Sequence, residues 1–268
     1  MSWRMMMGGS QIRREMDKRY WDGMACAYEE EIHSVLHCDR QGVIEKRLRK
    51  IASVSRTVAD IGCGIGHFLP ILSKYFKRVY ANDISEDLLA RAQADHEKLP
   101  NITFLAGDIR SAFKKIPRVD CVVSVNSLIS SSMSIRHKML EAMAKILKPD
   151  GSLVLVVPSL ESSLFVDLRF VQWKWKDGSS FATALRSVYV KDPLADNKAR
   201  QGILGIDGVA TKHYLKEELC FLLKEAGLDV KEVVKIEYGW DTEFERVPRW
   251  MGAPYPWDWL VIAQRGRR

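Results

Sequence analysis

A glycine-rich loop between an apolar run and an amphipathic helical pattern constrains this chain more than any other feature of its sequence. Its glycines are Gly62, Gly64 and Gly66, and they follow the apolar run Thr57–Ile61. Glycines at a junction of strand and helix let the backbone turn tightly and approach a ligand, because they carry no Cβ atom. The spacing is G-x-G-x-G rather than the G-x-G-x-x-G of a pyrophosphate-binding turn, since the sixth position is His67. The loop therefore predicts a ligand site at the first turn of an α/β unit.

The sequence around the loop predicts a mostly parallel sheet. From Val54 onward, short apolar runs alternate with helical patterns, which is typical of βαβ units. The predicted strands are Thr57–Ile61, Arg78–Ala81, Asn101–Leu105, Cys121–Val125, Leu153–Val157, Val230–Tyr238 and Trp257–Ala263. Two helices, Arg13–Leu36 and Gly42–Ile51, are predicted before the first strand, and the alternation is interrupted by an irregular segment, Leu160–Thr211. We therefore expect an α/β fold with seven strands, a helical N-terminal cover and an insertion after the fifth strand.

Three aspartates follow or end successive predicted strands. Asp60 precedes the glycine loop, where it would repel a pyrophosphate but would suit a ligand that carries an ammonium group. Asp83 comes 21 residues after Gly62, at an open strand end where it could accept hydrogen bonds from both hydroxyls of a ribose. Asp108 follows the third strand, where it could meet the exocyclic amine of adenine. All three positions lie at carboxyl ends of strands, where open α/β sheets bind ligands.

Four segments resemble motifs of the class I S-adenosylmethionine-dependent methyltransferases. They are Val58–Gly66 (VADIGCGIG), Tyr80–Ser85, Ala106–Ile109 and Leu147–Ser152. The resemblance covers about residues 20–159 and returns from 213 to 264. It implies a three-layer, Rossmann-like fold with helices on both faces of the sheet, and S-adenosyl-L-methionine as the cofactor.

The resemblance also implies which residues hold the cofactor. They are Tyr20, Tyr28, Asp60, Gly62, Gly64, Gly66, Asp83, Ile84, Asp108, Ile109 and Asn126. The glycines would line the methionine and ribose portions, and Asp60 would face the ammonium group. Asp83 would hold the ribose diol, Asp108 and Ile109 the adenine, and Asn126 would border the methionine end.

Aromatic residues near the N-terminus have two interpretations. Tyr20, Trp21 and Tyr28 resemble a family pattern in which an N-terminal helix covers the cofactor. The same residues could equally pack the helix on the sheet.

The irregular segment 160–211 is the predicted site of the methyl acceptor. Its aromatic residues are Phe165, Phe170, Trp173, Trp175, Phe181 and Tyr189, and it holds seven basic and six acidic side chains. This balance does not favour a nucleic-acid track, whereas an apolar pocket for a small molecule suits it. Alternatively, the aromatic residues form a helix-packing core.

Catalytic residues are not required by the reaction, because methyl transfer is an in-line displacement that positioning can accelerate. His213 and Tyr214 are weak candidates for a base and its orienting group. The segment Val125–Ile129 lacks the Asn-Pro-Pro-Tyr type of signature that accompanies methylation of planar amide or adenine nitrogens.

Composition excludes several other classes of protein. The net charge is +7, but the basic residues are dispersed, so nucleic acid is a less favoured partner. No apolar run approaches the ~18–20 residues of a membrane span, and residues 1–14 hold no apolar segment of a secretory signal. Five scattered cysteines without a CxxC pair predict a reducing, cytoplasmic location. His33, His37 and Cys38 lack a further ligand, so we expect no metal site.

The sequence thus predicts a methyltransferase that modifies a small-molecule acceptor, without fixing its oligomeric state. Residues 1–53 would form the N-terminal cover and 54–268 the methyltransferase domain, with 160–211 as a substrate-binding insertion. Two alternatives remain open, an RNA or protein methyltransferase and a non-catalytic S-adenosylmethionine-binding module.

Overall fold

Seven strands form one sheet in the computed structural model of the chain, which describes residues 16–25, 27–28, 34–188, 198, 200–206 and 208–266. These strands are β1 (Thr57–Ile61), β2 (Arg78–Asp83), β3 (Ile102–Ala106), β4 (Val119–Val125), β5 (Leu147–Pro158), β8 (Leu228–Glu237) and β9 (Trp257–Arg265). A separate antiparallel hairpin consists of β6 (Ile203–Ile206) and β7 (Val209–Lys212). The order across the large sheet is β3-β2-β1-β4-β5-β9-β8.

The strand directions bring several strand ends to one edge of the sheet. Strands β1 to β5 run parallel to their neighbours, whereas β9 is antiparallel to both β5 and β8. The start of β9 pairs with the end of β5, so that Asp258 lies opposite Pro158. The carboxyl ends of the parallel strands and the beginning of β9 therefore meet at the same edge. The predicted seven-stranded, mostly parallel sheet is confirmed.

Helices cover both faces of this sheet. They are α1 (Lys18–Met24), α2 (Val35–Cys38), α3 (Val43–Ile51), α4 (Leu69–Tyr75), α5 (Glu86–Asp95), α6 (Ile109–Ala112), α7 (Met133–Ile146), α8 (Leu160–Lys176), α9 (Phe181–Arg186) and α10 (Lys216–Glu225). Successive residues of a strand point to opposite faces. Accordingly, Ala59 packs in a buried cluster with Leu140 of α7 and Leu219 of α10. Val58 packs in a second cluster with Leu48 of α3. The three-layer arrangement is thus confirmed.

The N-terminal cover differs from the single helix predicted over Arg13–Leu36. Within the described residues, α1 and α2 are separate helices. Each begins at its own cap, because the side chain of Asp17 accepts from the Tyr20 N–H and that of Ser34 accepts from the His37 N–H. The rest of the predicted helix, residues 13–15, 26 and 29–33, lies outside the described part of the chain.

The sequence pattern predicted that segment 160–211 is irregular, and this prediction is wrong. The segment contains the 17-residue helix α8, the short helix α9 and the β6–β7 hairpin. The helix escaped prediction because its buried face includes Ser162 and Ser163, while Leu164 and Leu168 are 59% and 63% exposed. Because serines lie on the buried face of the helix and leucines on its exposed face, the sequence does not show an amphipathic pattern.

Three of the aromatic residues from which we predicted an acceptor pocket lie against a packed core instead. Phe165, Phe170 and Trp173 pack against a buried cluster that contains Trp240 and Phe244. The ring centroids of Trp173 and Phe244 lie 5.4 Å apart with the rings edge to face. The helix-packing interpretation is therefore correct for these three. Two others, Trp175 and Phe181, are exposed, and Tyr189 lies outside the described residues.

Two tryptophans of α8 provide a matched test of this packing. We expect Trp173→Ala to lower the free energy of unfolding by about 2 kcal/mol or more, short of the roughly 3–5 kcal/mol of a fully buried tryptophan because Trp173 is half-buried. The control Trp175→Ala removes an exposed ring and should change it by less than about 0.5 kcal/mol. Urea unfolding of both variants measures the difference. Equal losses would contradict the assignment of Trp173 to the cluster.

Candidate functional site

A cavity of about 790 Å³ lies along the carboxyl edge of the sheet. Its lining follows the strand order, with Asp108 after β3, Asp83 at the end of β2, Asp60 in β1, Asn126 after β4 and Asp258 in β9. Five strand spacings of about 4.8 Å separate β3 from β9, so the cavity extends over roughly 24 Å. Its volume is near the upper end of the roughly 300–1,000 Å³ of small-molecule sites. The cavity is thus long enough for two ligands placed end to end.

The glycine loop forms one wall of this cavity and needs glycine for two reasons. Gly62 and Gly64 have φ of +73° and +54°, a left-handed conformation that L side chains rarely adopt. A Cβ atom on Gly64 would also lie 2.5 Å from the hydroxyl oxygen of Tyr28, and one on Gly62 would overlap the Cβ of Ser127. The loop is therefore packed tightly between Tyr28 and Ser127.

Gly66, the third glycine of the loop, has a different neighbourhood. It does not line the cavity. A Cβ atom here would lie 2.6 Å from Cδ1 of Leu69 and 2.9 Å from Cδ2 of His96. The structure thus does not bring Gly66 to the predicted ligand site, and the glycine is required by helix packing.

Asp83 connects the end of β2 to the glycine loop. Its Oδ2 accepts from the Gly64 N–H at 2.8 Å and its Oδ1 from the Ser85 N–H at 2.9 Å. Only 6% of Asp83 is exposed, so it is not at an open strand end as the sequence suggested. Burial raises the pKa of Asp83, and the backbone N–H donors oppose this shift. The carboxylate therefore fixes the loop as well as facing the cavity.

Asp60 is a buried carboxyl group with an unsatisfied oxygen. It is 3% exposed, and its Oδ2 has no hydrogen-bond partner among the described residues. Burial, followed by the negative charge of Asp83, raises the pKa of Asp60 to about 7. A buried acceptor of this kind costs free energy unless a ligand donates to it.

Asp108 and Ile109 line the cavity beyond Asp83, together with Ile84 and Arg110. Asp108 caps α6, since its Oδ1 accepts from the Arg110 N–H at 2.9 Å, and its carboxylate also binds the Arg110 guanidinium. Desolvation would raise the pKa of Asp108, but the hydrogen bonds and charge of Arg110 outweigh it and lower that pKa. Arg110 was not predicted, because nothing in its sequence position distinguishes it from a surface arginine.

Tyr20 and Tyr28 of the N-terminal cover also line the cavity. Their rings lie edge-on or tilted to Trp21, with centroids 5.0 Å and 6.5 Å from it. Burial away from water is the main reason that the pKa of Tyr28 is raised. The two interpretations of these aromatics are compatible, since the same rings pack together and face the cavity.

Only one of the two catalytic candidates, His213, lies at the cavity. His213 lines the cavity, with its Nδ1 3.2 Å from the carbonyl oxygen of Thr211. Tyr214 is completely buried outside the lining, and its hydroxyl donates to the carbonyl of Leu128 at 2.8 Å. A role for Tyr214 in positioning a reactant is therefore not supported, and its hydroxyl instead holds the loop after β4.

Asp258 is a cavity residue that sequence reasoning missed. Its Oδ2 accepts from the Tyr238 hydroxyl at 2.8 Å, and it also hydrogen-bonds the side chain of Asn126. Desolvation is the main reason that the pKa of Asp258 rises to about 7, and the charge of Glu243 adds to it. Asp258 stands between two tryptophans in the otherwise apolar run Trp257–Ala263, and this lone acid was the signal that could have revealed it.

Two further features are missing from the described residues. They contain no group of three or more His, Cys, Asp or Glu side chains that could hold a metal ion. None of the helices in the described part of the chain is long and apolar enough to cross a membrane.

Comparison with known proteins identifies the class of the chain. Residues 58–151, which carry the glycine loop and the strand-end acids, match the family model of a methyltransferase domain. The protein is an S-adenosylmethionine-dependent methyltransferase. The cofactor of this enzyme is S-adenosylmethionine. Among curated protein sequences, none is significantly similar to the chain.

Solved structures share the fold at low sequence identity. A Haloferax volcanii protein in complex with the Trm112 methyltransferase activator is 17% identical, with a TM-score of 0.61 over 95% of this chain and 100% of that chain. The N-methyltransferase NodS from Bradyrhizobium japonicum WM9, bound to S-adenosylhomocysteine, is 18% identical, with a TM-score of 0.59 over 94% and 98%. Magnesium protoporphyrin IX methyltransferase from Synechocystis PCC 6803 is 14% identical, with a TM-score of 0.58 over 93% and 98%.

Substitution of Gly62 tests how closely the loop is packed. Both Gly62→Ala and the control Gly42→Ala place a side chain in left-handed backbone, which costs about 1–2 kcal/mol. Around Gly42 no atom lies within 4 Å of the added Cβ, whereas at Gly62 it collides with Ser127. We therefore expect Gly62→Ala to lower the free energy of urea unfolding clearly more than Gly42→Ala. Similar losses in the two variants would show that the loop yields to a side chain.

Proposed function

We propose that this methyltransferase transfers the methyl group of S-adenosylmethionine to a small-molecule acceptor bound in the same cavity. The observation that carries the proposal is the extent of the cavity, which continues from Asp108 past the glycine loop to His213 and Asp258. The first part offers a place for the cofactor, and the remainder lies beside it along the sheet edge. Both reactants could thus be held in line within one site.

The residues of the first part fit the cofactor. Asp60 offers an unsatisfied buried oxygen to the ammonium group, and the Asp83 carboxylate would hold the ribose diol. Asp108 and Ile109 would border the adenine. Gly62 and Gly64 line the cavity where the methionine portion would lie. When bound, the cofactor supplies an electrophilic methyl group on a positively charged sulfur.

The N-terminal cover and the insertion would complete the site as parts of two proposed units, residues 1–53 and 54–268. Tyr20 and Tyr28 close the cavity at the cofactor end, while Ser163 and Val166 of α8 and Thr211 of β7 line it elsewhere. These side chains would exclude water and orient the acceptor against the methyl group. We therefore assign acceptor binding in segment 160–211 to these smaller side chains and not to its aromatic residues.

Charge supports a small molecule over RNA as the acceptor. In the described part of the chain, the basic side chains that line the cavity are Lys18 and Arg110, apart from histidines. Each is paired with a carboxylate, Lys18 with Asp22 at 2.8 Å and Arg110 with Asp108. A site for RNA would need cationic side chains that are available to phosphates. NodS and magnesium protoporphyrin IX methyltransferase, which share the fold, are named for N-methylation and for a porphyrin.

Two measurements test this function. Purified protein should bind S-adenosylhomocysteine but not NAD in calorimetry. With a cell extract as acceptor source, it should consume S-adenosylmethionine, and this turnover should survive treatment of the extract with nuclease and protease. Loss of turnover after either treatment would favour an RNA or protein acceptor, and binding without turnover in any extract would favour a non-catalytic module.

The ionisation of Asp60 predicts a pH-dependent affinity for S-adenosylhomocysteine. Since the pKa of Asp60 is raised to about 7, its carboxylate forms as the pH rises from about 6 to 8, and only then attracts the ammonium group of the ligand. We expect the affinity to increase about tenfold over this range in calorimetry. The variant Asp60→Asn should show weaker binding that hardly changes with pH. An affinity independent of pH in the unmodified protein would contradict the role of Asp60.

Asp60 also predicts how the stability of the ligand-free protein depends on pH. The folded state keeps the Asp60 proton to about pH 7, whereas the unfolded chain releases it near its ordinary pKa of 3.8. The contribution of Asp60 to the free energy of unfolding should therefore fall as the pH rises from about 4 to 7. Asp60→Asn should make this decline smaller and leave the part that is due to Asp258, which urea unfolding at several pH values measures.

A further inference from the structure

Asp258 lies where the cavity continues past the proposed cofactor residues. It is the second residue of β9 and pairs with Pro158, the last residue of β5. Asn126, which would border the methionine end, hydrogen-bonds it from the end of β4. Asp258 therefore follows the methionine end in strand order, on the side opposite the adenine residues. A molecule that approaches the cofactor methyl group from this side would meet Asp258.

Among the residues that the structure describes, no cationic side chain pairs with Asp258. Its neighbours are the Tyr238 hydroxyl from β8, the Asn126 amide, the backbone of Ser159 and the carboxylate of Glu243. The nearby charge is thus negative. Apart from histidines, the basic side chains among the described residues of the lining are Lys18 and Arg110, which belong to the cover and to α6. Two carboxylates therefore face this end of the cavity together.

Two further polar atoms at the cavity lining lack partners among the described residues. Oδ1 of Asn126 is buried and accepts no hydrogen bond from the described residues. The indole N–H of Trp257 is also buried and donates to none of them. Trp257 is only 9% exposed and lines the cavity next to Asp258 in sequence. Buried polar atoms are normally satisfied, so the Asn126 oxygen indicates a ligand with a hydrogen-bond donor, whereas Trp257 lies on the opposite face of β9 from Asp258. An N–H group of such a ligand would suit the Asn126 oxygen.

We propose that the acceptor is a small amine, held by Asp258 and Glu243, and that Asp258 receives the proton which the amine nitrogen must release. This inference rests on the proposed function, because it assumes a bound cofactor. A cationic ammonium group is attracted by the two carboxylates, whereas a carboxylate or phosphonate acceptor would be repelled by them.

The proton transfer follows from the charges of the reactants. The ammonium form of the acceptor gives one proton to the Asp258 carboxylate, which frees the lone pair of its nitrogen. That lone pair forms the bond to the methyl carbon while the carbon–sulfur bond breaks and its electron pair remains on sulfur. The products are a methylated ammonium and a neutral thioether, and the proton on Asp258 then leaves to solvent. A pKa near neutral suits this exchange, because the carboxyl group can both accept and release the proton.

Equilibrium binding of matched probes tests the inference without relying on turnover. Protein saturated with S-adenosylhomocysteine is titrated with benzylamine and ethanolamine, and with benzoate and glycolate as their acidic counterparts. The amines should bind and the acids should not. Asp258→Asn should weaken amine binding at least about tenfold while leaving the affinity for S-adenosylhomocysteine within about twofold. Binding of the acids in preference to the amines, or an unchanged amine affinity in the variant, overturns the proposal.

The pH dependence separates a proton acceptor from a structural residue. With S-adenosylhomocysteine in place to occupy Asp60, amine binding should strengthen as the pH rises through about 7, where Asp258 ionises. Asp258→Asn should abolish this dependence and keep a cooperative melting transition. A purely structural role predicts the opposite, a lower melting temperature with the pH dependence retained.

A second variant covers the case in which Asp258→Asn does not fold. Glu243→Gln should reduce amine affinity severalfold, whereas Glu245→Gln removes an exposed carboxylate of the same loop and should not. Equal effects of the two variants would overturn the role of the acidic pair. If S-adenosylhomocysteine fails to bind the unmodified protein, the proposed function itself fails. If it binds and none of the amines does, the function stands and the amine assignment is wrong.

Discussion

The site depends on the hydrogen bonds by which the Asp83 carboxylate holds the glycine loop. This carboxylate accepts from backbone N–H groups on both sides, Gly64 in the loop and Ser85 at the cap of α5. The loop can approach so closely only because its glycines adopt left-handed backbone against Tyr28 and Ser127. One buried carboxylate thus determines the shape of the loop and the beginning of the helix that follows β2.

The same arrangement places two carboxyl groups, Asp60 and Asp83, close enough to raise the pKa of Asp60. Burying like charges together costs free energy, and the hydrogen bonds to Asp83 offset part of it. The remaining cost falls on Asp60, whose Oδ2 has no partner among the described residues. A positively charged ligand would relieve this cost when it binds. Part of the binding free energy is therefore stored in the folded protein before the ligand arrives.

Local sequence predicted the sheet and many of the residues that line the cavity from Asp108 to Asn126, because each signal there lies within a short segment. The apolar run of β1, the loop after it and the cap Ser85 are all read from neighbouring residues. Segment 160–211 could not be read in this way. The partners of Phe170 and Trp173 are Trp240 and Phe244, which lie some seventy positions further along the chain. Distant contacts of this kind decide whether an aromatic residue lines a pocket or fills a core, and periodicity does not reveal them.

Asp258 was missed for a topological reason. A residue near the start of a late strand reaches the carboxyl edge of the sheet only if that strand runs antiparallel to its neighbour. The sequence indicates that a strand is present at Trp257–Ala263 but not its direction. The same limit applies to His213 and Tyr214, which are adjacent in sequence yet only one of them faces the cavity.

The reversed strand β9 has a consequence for how such a protein can diversify. The residues proposed to hold the cofactor beneath the cover all come from the continuous stretch 60–126, whereas Ser163, Thr211, His213 and Asp258 come from the later part of the chain. Because β9 runs backwards, this later part returns to the same edge that the earlier part already occupies. Mutations can therefore accumulate in one part of the gene without altering the other. A lineage can in this way exchange one substrate for another while its shared chemistry stays intact.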